Sequence, residues 1–282
     1  MKKNSQMPGK TNWPVTILLI LGCITIFFPL YMAVIIAFKK PSEMTNDIAG
    51  ALSLPSSWSF SNFTEAMKVT DFWNSLGNSL LITIVTVVLA ILIHSIAGYA
   101  IGRNMANSKF YKFSYLYIVS GMFVPFAILM MPLVKQTSQM GIGNRVGVIV
   151  LYVVFYMPMN LLLYSGYLKN IPMALEEAAK VDGAGTVTRF FRITLPMLKP
   201  TIILAVFLSI TSSLQCFDLI YTMTGGGPNN ASTTLVIYAY SLCFAGSSSA
   251  GYAMAVSNIL FVVILVIAML QRGMMKREAS EI

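Results

Sequence analysis

Long apolar stretches without a formal charge dominate this sequence and most constrain its fold. A helix that crosses the roughly 30 Å hydrocarbon core of a bilayer needs about 20 such residues. Six stretches reach this length, the fifth if it continues past Asp218. They are residues 15–38, 75–101, 113–134, 146–168, 201–221 and 252–271. The sequence therefore predicts an all-α integral membrane protein with six transmembrane helices, in a single domain over residues 1–282.

The composition excludes the main soluble classes. Charged residues make up 10% of the chain and hydrophobic residues 56%, whereas a soluble domain carries about 25% charged residues and disordered chains are poor in apolar residues. The net charge of +9 does not indicate nucleic-acid binding, because the basic residues are not clustered on a polar scaffold. A single histidine, His94, and three cysteines without metal-like spacing give no signal for a metal site.

The distribution of Lys and Arg predicts the orientation, because positive residues are retained on the cytoplasmic side. With both termini inside, 14 of the 19 basic residues fall in cytoplasmic segments, so both termini are predicted to be cytoplasmic. The first apolar run has 24 residues, which is too long for the about 7–15 of a signal-peptide core. It is interpreted as an uncleaved helix. Residues 39–74 then form an external segment with one or two short helices on the outer surface.

The longest cytoplasmic segment, residues 169–200, begins with the pattern of a short helix. Pro172 suits a first helical turn, where its missing N–H costs nothing. Glu176 and Glu177 follow near the positive end of the helix dipole, and Lys180 lies toward the negative end. The segment is therefore predicted to start with a helix that ends shortly after Lys180.

A sharp break and a second helix are predicted to follow. Gly183 and Gly185 end the first helix, because glycine accepts the left-handed conformation in which helices terminate. Thr186 is expected to cap the next helix, which runs to Pro196. Apolar residues at helical spacing in that second helix include Val187, Phe190 and Phe191.

The same loop carries a family resemblance in its spacing. Glu177-Ala178-Ala179 is followed after three residues by Gly183, after nine more by Ile193, and then by Leu195-Pro196. This pattern resembles the complete EAA loop of binding-protein-dependent ABC importer permeases, and it lies between the fourth and fifth of six spans, as in that family. Neighbouring residues that resemble the carbohydrate-uptake branch are Asp182-Gly183-Ala184, Phe191 and Pro200.

Other motifs extend the resemblance over roughly residues 15–275. Those similar to the smaller permease of maltose-type importers are Lys39-Lys40, Asn62-Phe63, Asn78-Ser79-Leu80 and Gly98-Tyr99-Ala100. Those similar to the larger permease of oligosaccharide systems are Phe217-Asp218-Leu219-Ile220-Tyr221, Thr224-Gly225-Gly226-Gly227-Pro228 and Gly251-Tyr252-Ala253. The mixture resembles multiple-sugar and raffinose-type transporters, which implies an oligosaccharide such as an α-galactoside as the substrate.

The resemblance implies half of a transporter with the type I ABC importer permease fold, in the cell membrane of a prokaryote. It implies a second related permease subunit, two ATP-binding subunits, an extracellular sugar-binding protein, a sugar substrate and surrounding membrane lipid as partners. The chain has no phosphate-binding loop, because Gly225-Gly226-Gly227-Pro228 lacks the Lys-Ser/Thr that such a loop requires. The chain itself is therefore expected to be non-catalytic and to bind no cofactor, with ATP and Mg in the partner ATPase.

The resemblance also assigns roles within the loop. Its first helix would lie in a groove of the ATPase, where Ala178 and Ala179 permit close approach, Glu177 faces a basic group and Gly183 sets the bend. The alternative is a solvated cytoplasmic hairpin with no docking role. The residues assigned to this ATPase-coupling loop are Glu176, Glu177, Ala178, Ala179, Asp182, Gly183, Phe190, Phe191, Ile193, Leu195 and Pro196.

Polar and aromatic residues within the later spans are candidates for a sugar pathway. Tyr156, Asn160 and Tyr164 recur every four residues, which places them on one helical face. The alternative for each is hydrogen bonding between helices, which is common for polar side chains in membranes. The full candidate set is Tyr156, Asn160, Tyr164, Ser212, Gln215, Asp218 and Asn258.

Two ionisable residues have open interpretations. Asp218 is either functional, as acidic residues within membranes often are, or it marks the end of the fifth helix. His94 lies deep in the second span and is either a packing group or a proton relay. Gly98 and Gly102 beside it indicate close helix packing.

Two other function classes fit the sequence less well than a permease. An intramembrane serine protease needs a serine and a histidine within reach of each other, but Gly246-Ser247-Ser248 lies in an external loop and His94 is the only base. A secondary transporter usually has internal repeats and intramembrane charges, which are not evident here. Neither class explains residues 169–200.

Overall fold

The computed structural model describes residues 12–43, 50, 52–68, 71–244 and 249–281. Regular structure within these ranges is helical, as the sequence predicted. Two 3₁₀ turns, Pro41–Glu43 and Gly121–Phe123, accompany the longer helices. The helices are α1 (Trp13–Phe38), α2 (Ser61–Lys68), α3 (Phe72–Asn104), α4 (Lys109–Ser120), α5 (Phe126–Gln139), α6 (Arg145–Leu168), α7 (Met173–Val181), α8 (Thr186–Met197), α9 (Lys199–Gln215), α10 (Asp218–Met223), α11 (Leu235–Phe244) and α12 (Ala250–Glu281).

Among the described residues, four helices are long and apolar enough to cross a membrane. These are α1, α3, α6 and the Ala250–Met274 part of α12. Two bent helix pairs, α4 with α5 and α8 with α9, bring the number to six if each pair forms one span. The all-α membrane fold is confirmed, and the predicted count of six requires the bent pairs.

The third predicted span, residues 113–134, is not one straight helix. α4 continues as a 3₁₀ turn to Phe123, and α5 then departs from it at an angle of 105°. Pro125 causes this break, because proline has no N–H to donate and pushes the preceding residue out of the helical region. Val124 accordingly has an extended backbone with ψ of 114°.

The fifth predicted span, residues 201–221, is wrong as a continuous helix. α9 ends at Gln215, Cys216 is extended with ψ of 118°, and α10 starts at Asp218. A carboxylate in the first turn of a helix is stabilised by the helix dipole, which favours a new helix at this point. Asp218 therefore begins a helix and does not end one.

α3 and α6 form the centre of the bundle. Gly98 of α3 lies so close to α6 that an added Cβ would be 2.6 Å from the Tyr164 Cβ. An apolar cluster in the first part of both helices includes Ile82 of α3 and Tyr152 of α6. A second apolar cluster lies at the end of the bundle that is joined by the loop of residues 169–200. This end of the bundle is called the α7 end. The cluster contains Tyr164, Leu168, Ile171, Leu198 and Ala205.

The loop between α10 and α11 is held against the other end of the bundle by polar side chains. Arg145 Nε, at the start of α6, donates to Ala231 O at 2.6 Å, and its Nη2 donates to Asn78 Oδ1 at 2.7 Å. Asn78 Nδ2 in turn donates to Asn230 O and Thr233 O at 2.9 and 3.0 Å. Arg145 and Asn78 thus join α3, α6 and this loop.

The predicted external segment, residues 39–74, contains the helix α2. Asn62 is buried and its Nδ2 donates to Ala37 O at 2.9 Å and to Lys39 O at 2.6 Å. These bonds satisfy carbonyls at the end of α1, which have no intrahelical partner. Residues 44–49, 51 and 69–70 of this segment lie outside the described residues.

Candidate functional site

α7 and α8 form the loop that the sequence predicts as two helices with a break. α7 starts directly after Pro172 and is followed by Asp182 and then Gly183, which has a left-handed φ of +86°. The Ala184 N–H donates to Ala179 O at 2.8 Å across this turn. The predicted break at Gly183 is confirmed, and it fixes the direction in which the chain leaves α7.

The predicted cap of α8 is wrong. Thr186 is the first helical residue, and Gly185 precedes it in an extended conformation that any residue adopts. Thr186 Oγ1 instead accepts a hydrogen bond from Arg189 Nη2 at 3.2 Å. The chain enters α8 directly from the tight turn at Gly183, so Thr186 is already inside the helix and cannot cap it.

α7 and α8 expose several apolar side chains. Val181 is 87% exposed, Val187 70% and Phe191 52%. Exposed apolar groups beside polar ones are typical of surfaces that contact another protein. Of the other residues assigned to the coupling loop, those that are exposed are Glu177, Ala178, Asp182, Gly183 and Pro196, and those that are half-buried are Ala179, Ile193 and Leu195.

Glu176 is the only buried residue of α7, and its carboxylate receives donors from two other helices. Arg103 Nε donates to Oε1 at 2.9 Å, and Arg103 Nη2 forms an ion pair with the same oxygen at 2.7 Å. Thr194 Oγ1 donates to Oε1 at 3.1 Å, and the Tyr99 hydroxyl donates to Oε2 at 2.8 Å. This group, Tyr99, Arg103, Glu176 and Thr194, is called the carboxylate junction below.

Arg103 joins the carboxylate junction to α6 as well. Its Nη1 donates to Leu168 O at 3.0 Å and to Ile171 O at 3.1 Å. Leu168 is the last residue of α6, and its carbonyl accepts from Arg103 in addition to the Ile171 N–H at 3.2 Å. The Arg103 and Glu176 side chains are only 11% and 5% exposed. Removing one partner of a buried ion pair costs about 3–5 kcal/mol, so this junction contributes strongly to the local structure.

A π-helical turn in α8, Phe190–Thr194, completes the packing of the carboxylate junction. Phe190 is buried against the Tyr99 ring, with ring centroids 5.2 Å apart. Thr194 is fully buried and points its hydroxyl at Glu176. Such single-turn π segments occur often at functional sites, and here the segment presents both residues to α3 and α7.

Sequence reasoning missed the junction. The resemblance placed a basic group of the ATPase opposite Glu177, which is exposed, and it did not single out the buried ion pair between Glu176 and Arg103. Neither Arg103 nor Thr194 was assigned to the coupling loop. A usable signal was the spacing of Tyr99 and Arg103, which are four residues apart at the end of an apolar helix and so share a face.

Asn160, a candidate for the sugar pathway, lies inside the bundle and is bonded to His94. The two side chains meet at 2.8 Å between Asn160 Nδ2 and His94 Nδ1, and His94 Nε2 lies 3.0 Å from Val153 O. Both ring nitrogens of His94 therefore have a hydrogen-bond partner within the bundle. Within the described residues, no group of three or more His, Cys, Asp or Glu side chains could hold a metal ion.

Two more of the candidates lie at helix contacts. Tyr164 is fully buried in the apolar cluster at the α7 end, against Gly98. Asn258 of α12 donates from Nδ2 to Ala33 O of α1 at 3.0 Å and to Met254 O at 2.9 Å. Asn258 matches the alternative of hydrogen bonding between helices, whereas Tyr164 packs between the helices and its hydroxyl has no hydrogen-bond partner among the described residues.

The remaining candidates gather around the break between α9 and α10. Ser212, Gln215 and Asp218 are exposed there. Tyr156 packs on the apolar cluster that also includes Cys216 and Phe217, and its hydroxyl has no hydrogen-bond partner among the described residues. The break thus brings together three polar side chains and an unpaired hydroxyl.

An open groove with a volume of about 590 Å³ begins at this break. Gln215 and Phe217 line it from the break, and Tyr240 and Phe244 line it from α11. The rings of Phe217 and Tyr221 stack at 4.9 Å, and Tyr240 contacts both of them. Aromatic rings with a few polar groups are the usual lining of small-molecule sites.

Comparisons with known proteins identify the family. Residues 94–276 match the family described as binding-protein-dependent transport system inner membrane component. The multiple sugar-binding transport system permease protein MsmG of Streptococcus mutans is 35% identical over 188 residues, which are 65% of each chain. MsmF of the same organism is 27% identical over 278 residues, 92% of each chain. The melibiose/raffinose/stachyose import permease protein MelC of Bacillus subtilis is 32% identical over 66% of each chain.

Solved structures show the same fold. A bacterial alginate ABC transporter, solved in complex with a periplasmic protein bound to an alginate pentasaccharide, aligns with a TM-score of 0.71 over 95% of this chain and 96% of that one, at 20% identity. The predicted permease fold is therefore confirmed. Because the family match covers more than half of the residues, the chain belongs to the family of binding-protein-dependent transport system inner membrane components and is a multi-pass protein of the prokaryotic inner membrane.

Proposed function

We propose that this chain is the permease subunit of an ATP-driven sugar importer, with α7 and α8 docked on a separate ATPase subunit. The observation that supports the proposal is that the buried and the exposed residues of α7 have different contacts. Its single buried residue, Glu176, binds the membrane helices, while Glu177 and Ala178 remain exposed for a partner. A solvated hairpin needs no such anchor.

The docking chemistry follows from the exposed residues. Ala178 and Ala179 allow close approach of a partner backbone, and Glu177 suits a basic group because it has no ion-pair partner among the described residues. Two ATP-binding subunits supply ATP hydrolysis with Mg, one on this chain and one on its sister permease. The α7 end and both termini are then cytoplasmic.

The other partners are inferred from the relatives. MsmF and MsmG are both named as permeases of a multiple sugar-binding transport system, which supports a second permease beside this chain. The open apolar surface of α1, which buries only Ile35 and Ala37, is available to that subunit and to membrane lipid. The alginate transporter complex supports an external sugar-binding protein.

The proposed substrate is an oligosaccharide of the α-galactoside type. MelC, named for melibiose, raffinose and stachyose import, supports this class. The sugar is proposed to pass the break between α9 and α10, where Gln215, Asp218 and the rings of Phe217 and Tyr240 offer polar partners and apolar faces. Asn160, Tyr164 and Asn258 are engaged between helices and are proposed to shape the pathway without touching the sugar.

Reconstitution tests this function. The complex purified from native membranes is placed in liposomes with ATP inside and labelled raffinose outside, together with the co-purified binding protein. The expected result is uptake that requires ATP and the binding protein. Uptake driven by an ion gradient without ATP would instead indicate a secondary transporter. A matched pair of variants, Gln215→Leu and Gln136→Leu, tests the pathway, because Gln215 lines the groove and Gln136, which is exposed on α5, does not.

A further inference from the structure

The connection between α7 and the membrane helices is electrostatic. Every residue of the nine-residue helix α7 except Glu176 is at least partly exposed. Its most extensive packing is against α8, the other half of the same loop. Apolar burial therefore contributes little to the attachment of α7 to α3, and the carboxylate of Glu176 makes that contact.

The donors to this carboxylate come from separate helices. Tyr99 and Arg103 lie on α3, and Thr194 lies on α8. Through its third nitrogen, Arg103 also holds Leu168 O and Ile171 O at the end of α6. One carboxylate and one guanidinium thus join four helices, and hydrogen bonds to charged groups are strong and directional.

We propose that the carboxylate junction is the element that transmits motion of α7 into α3 and α6, and that Arg103 and Glu176 are positioning residues for coupling. This inference rests on the proposed function, because α7 must first dock on the ATPase. A displacement of α7 pulls on Glu176 and so on Arg103. Because Arg103 also caps α6, both central helices follow. Glu176 is thereby assigned to transmission, and its exposed neighbour Glu177 to docking.

A lysine cannot replace Arg103 in this role. The guanidinium reaches Glu176 with Nε and Nη2 and the α6 carbonyls with Nη1 at the same time. An ammonium is a single point charge on a flexible stem and lacks this planar arrangement of donors. Arg103→Lys keeps the charge near Glu176 and loses the simultaneous contact with α6.

The test measures sugar transported per ATP hydrolysed by the whole complex in liposomes. Glu176→Gln and Arg103→Lys leave the exposed docking residues Glu177 and Ala178 unchanged, and the ratio is compared between complexes that are purified with equal ATPase content. Transport per ATP is expected to fall by on the order of tenfold, as for typical couplings between distant sites. Glu65→Gln makes the same chemical change on exposed α2 and serves as the control, with an unchanged ratio.

Two milder variants keep the test decisive if Glu176→Gln does not assemble. Tyr99→Phe and Thr194→Val each remove one hydroxyl bond to Glu176 and keep the shape of the side chain. Each is expected to lower the ratio of sugar transported to ATP hydrolysed, by a smaller factor than Glu176→Gln does. A wild-type ratio in both would overturn the proposed junction. A wild-type complex that shows no ATP-driven uptake would instead overturn the proposed function, and the two failures are thereby distinct.

Discussion

His94 Nδ1 lies 2.8 Å from Asn160 Nδ2, in the buried centre of the bundle between α3 and α6. The amide donates to Nδ1, so the ring proton is on Nε2, which donates to Val153 O at 3.0 Å. Val153 lies five residues before Pro158, which has no N–H and interrupts the bonding of α6. His94 is therefore a neutral link between the helices near this interruption, and this arrangement does not resemble a proton relay.

The His94 link is tested by substitution. His94→Phe leaves the Asn160 amide and one bond of Val153 O without a partner, and we expect a loss of about 1 kcal/mol of stability, the scale of interhelical hydrogen bonds in membranes. The measurement is the thermal unfolding midpoint of the purified complex. His94→Gln, which keeps a donor and an acceptor, should lose less. Equal midpoints for wild type and His94→Phe would refute the structural role.

Gly98 allows α3 and α6 to approach each other, and this contact gives a second prediction. In Gly98→Ala the new Cβ would lie 2.6 Å from the Tyr164 Cβ, so the helices must separate. Overpacking of this kind costs about 1–3 kcal/mol. Gly77→Ala on the same helix meets nothing within 4 Å and should be neutral or stabilising. Urea or thermal unfolding should show a loss of stability in Gly98→Ala and none in Gly77→Ala, and equal behaviour of the two variants would contradict the close contact.

The turn at Gly183 gives a third prediction. Its φ of +86° is disfavoured for residues with a Cβ, so Gly183→Val should strain the turn by about 1–3 kcal/mol. We expect normal expression and normal pairing with the sister permease, but a sharp loss of ATPase in the purified complex. Gly185→Ala is the control, because Gly185 is extended. Full ATPase content with normal uptake in Gly183→Val would remove the turn from the mechanism.

The orientation is tested by thiol labelling in intact cells. Cys243 is partly exposed and lines the groove at the start of the sixth predicted span. In a background with Cys23 and Cys216 replaced by serine, an impermeant maleimide added outside should label Cys243. A cysteine introduced by Ala279→Cys should be protected until the cells are opened. Labelling of position 279 from outside would overturn the proposed cytoplasmic termini.

Patterns among neighbouring residues were sufficient to predict the helices and turns that depend on neighbouring residues alone. The apolar stretches predict α1, α3, α6 and α12, and the left-handed turn at Gly183 follows from glycine chemistry alone. The break before α5 had a local signal in Pro125, but the predicted third span, residues 113–134, ran through it. The break at Cys216 had no comparable signal, since only the favourable start of a helix at Asp218 distinguishes it from continuous apolar sequence.

Contacts between distant residues could not be predicted in this way. Arg103 and Glu176 are 73 residues apart, and Asn78 and Thr233 are 155 apart. Periodicity shows which face of a helix a residue occupies, but it does not show which other helix packs on that face. The motifs containing Asn62 and Asn78 resembled family motifs in the sequence. Only the fold shows their physical roles: Asn62 caps the end of α1, and Asn78 binds the α10–α11 loop.

Crosslinking in the native membrane tests most directly whether α7 is the surface on which an ATPase subunit docks. A photoreactive amino acid is placed at Val181, which is 87% exposed beside Gly183, and in a second variant at Trp73, which is 66% exposed at the opposite end of the bundle. After irradiation, we expect an adduct of this chain with the ATPase from position 181 and none from position 73. An ATPase adduct from position 73, or none from position 181 in a complex that contains the ATPase, would contradict the account.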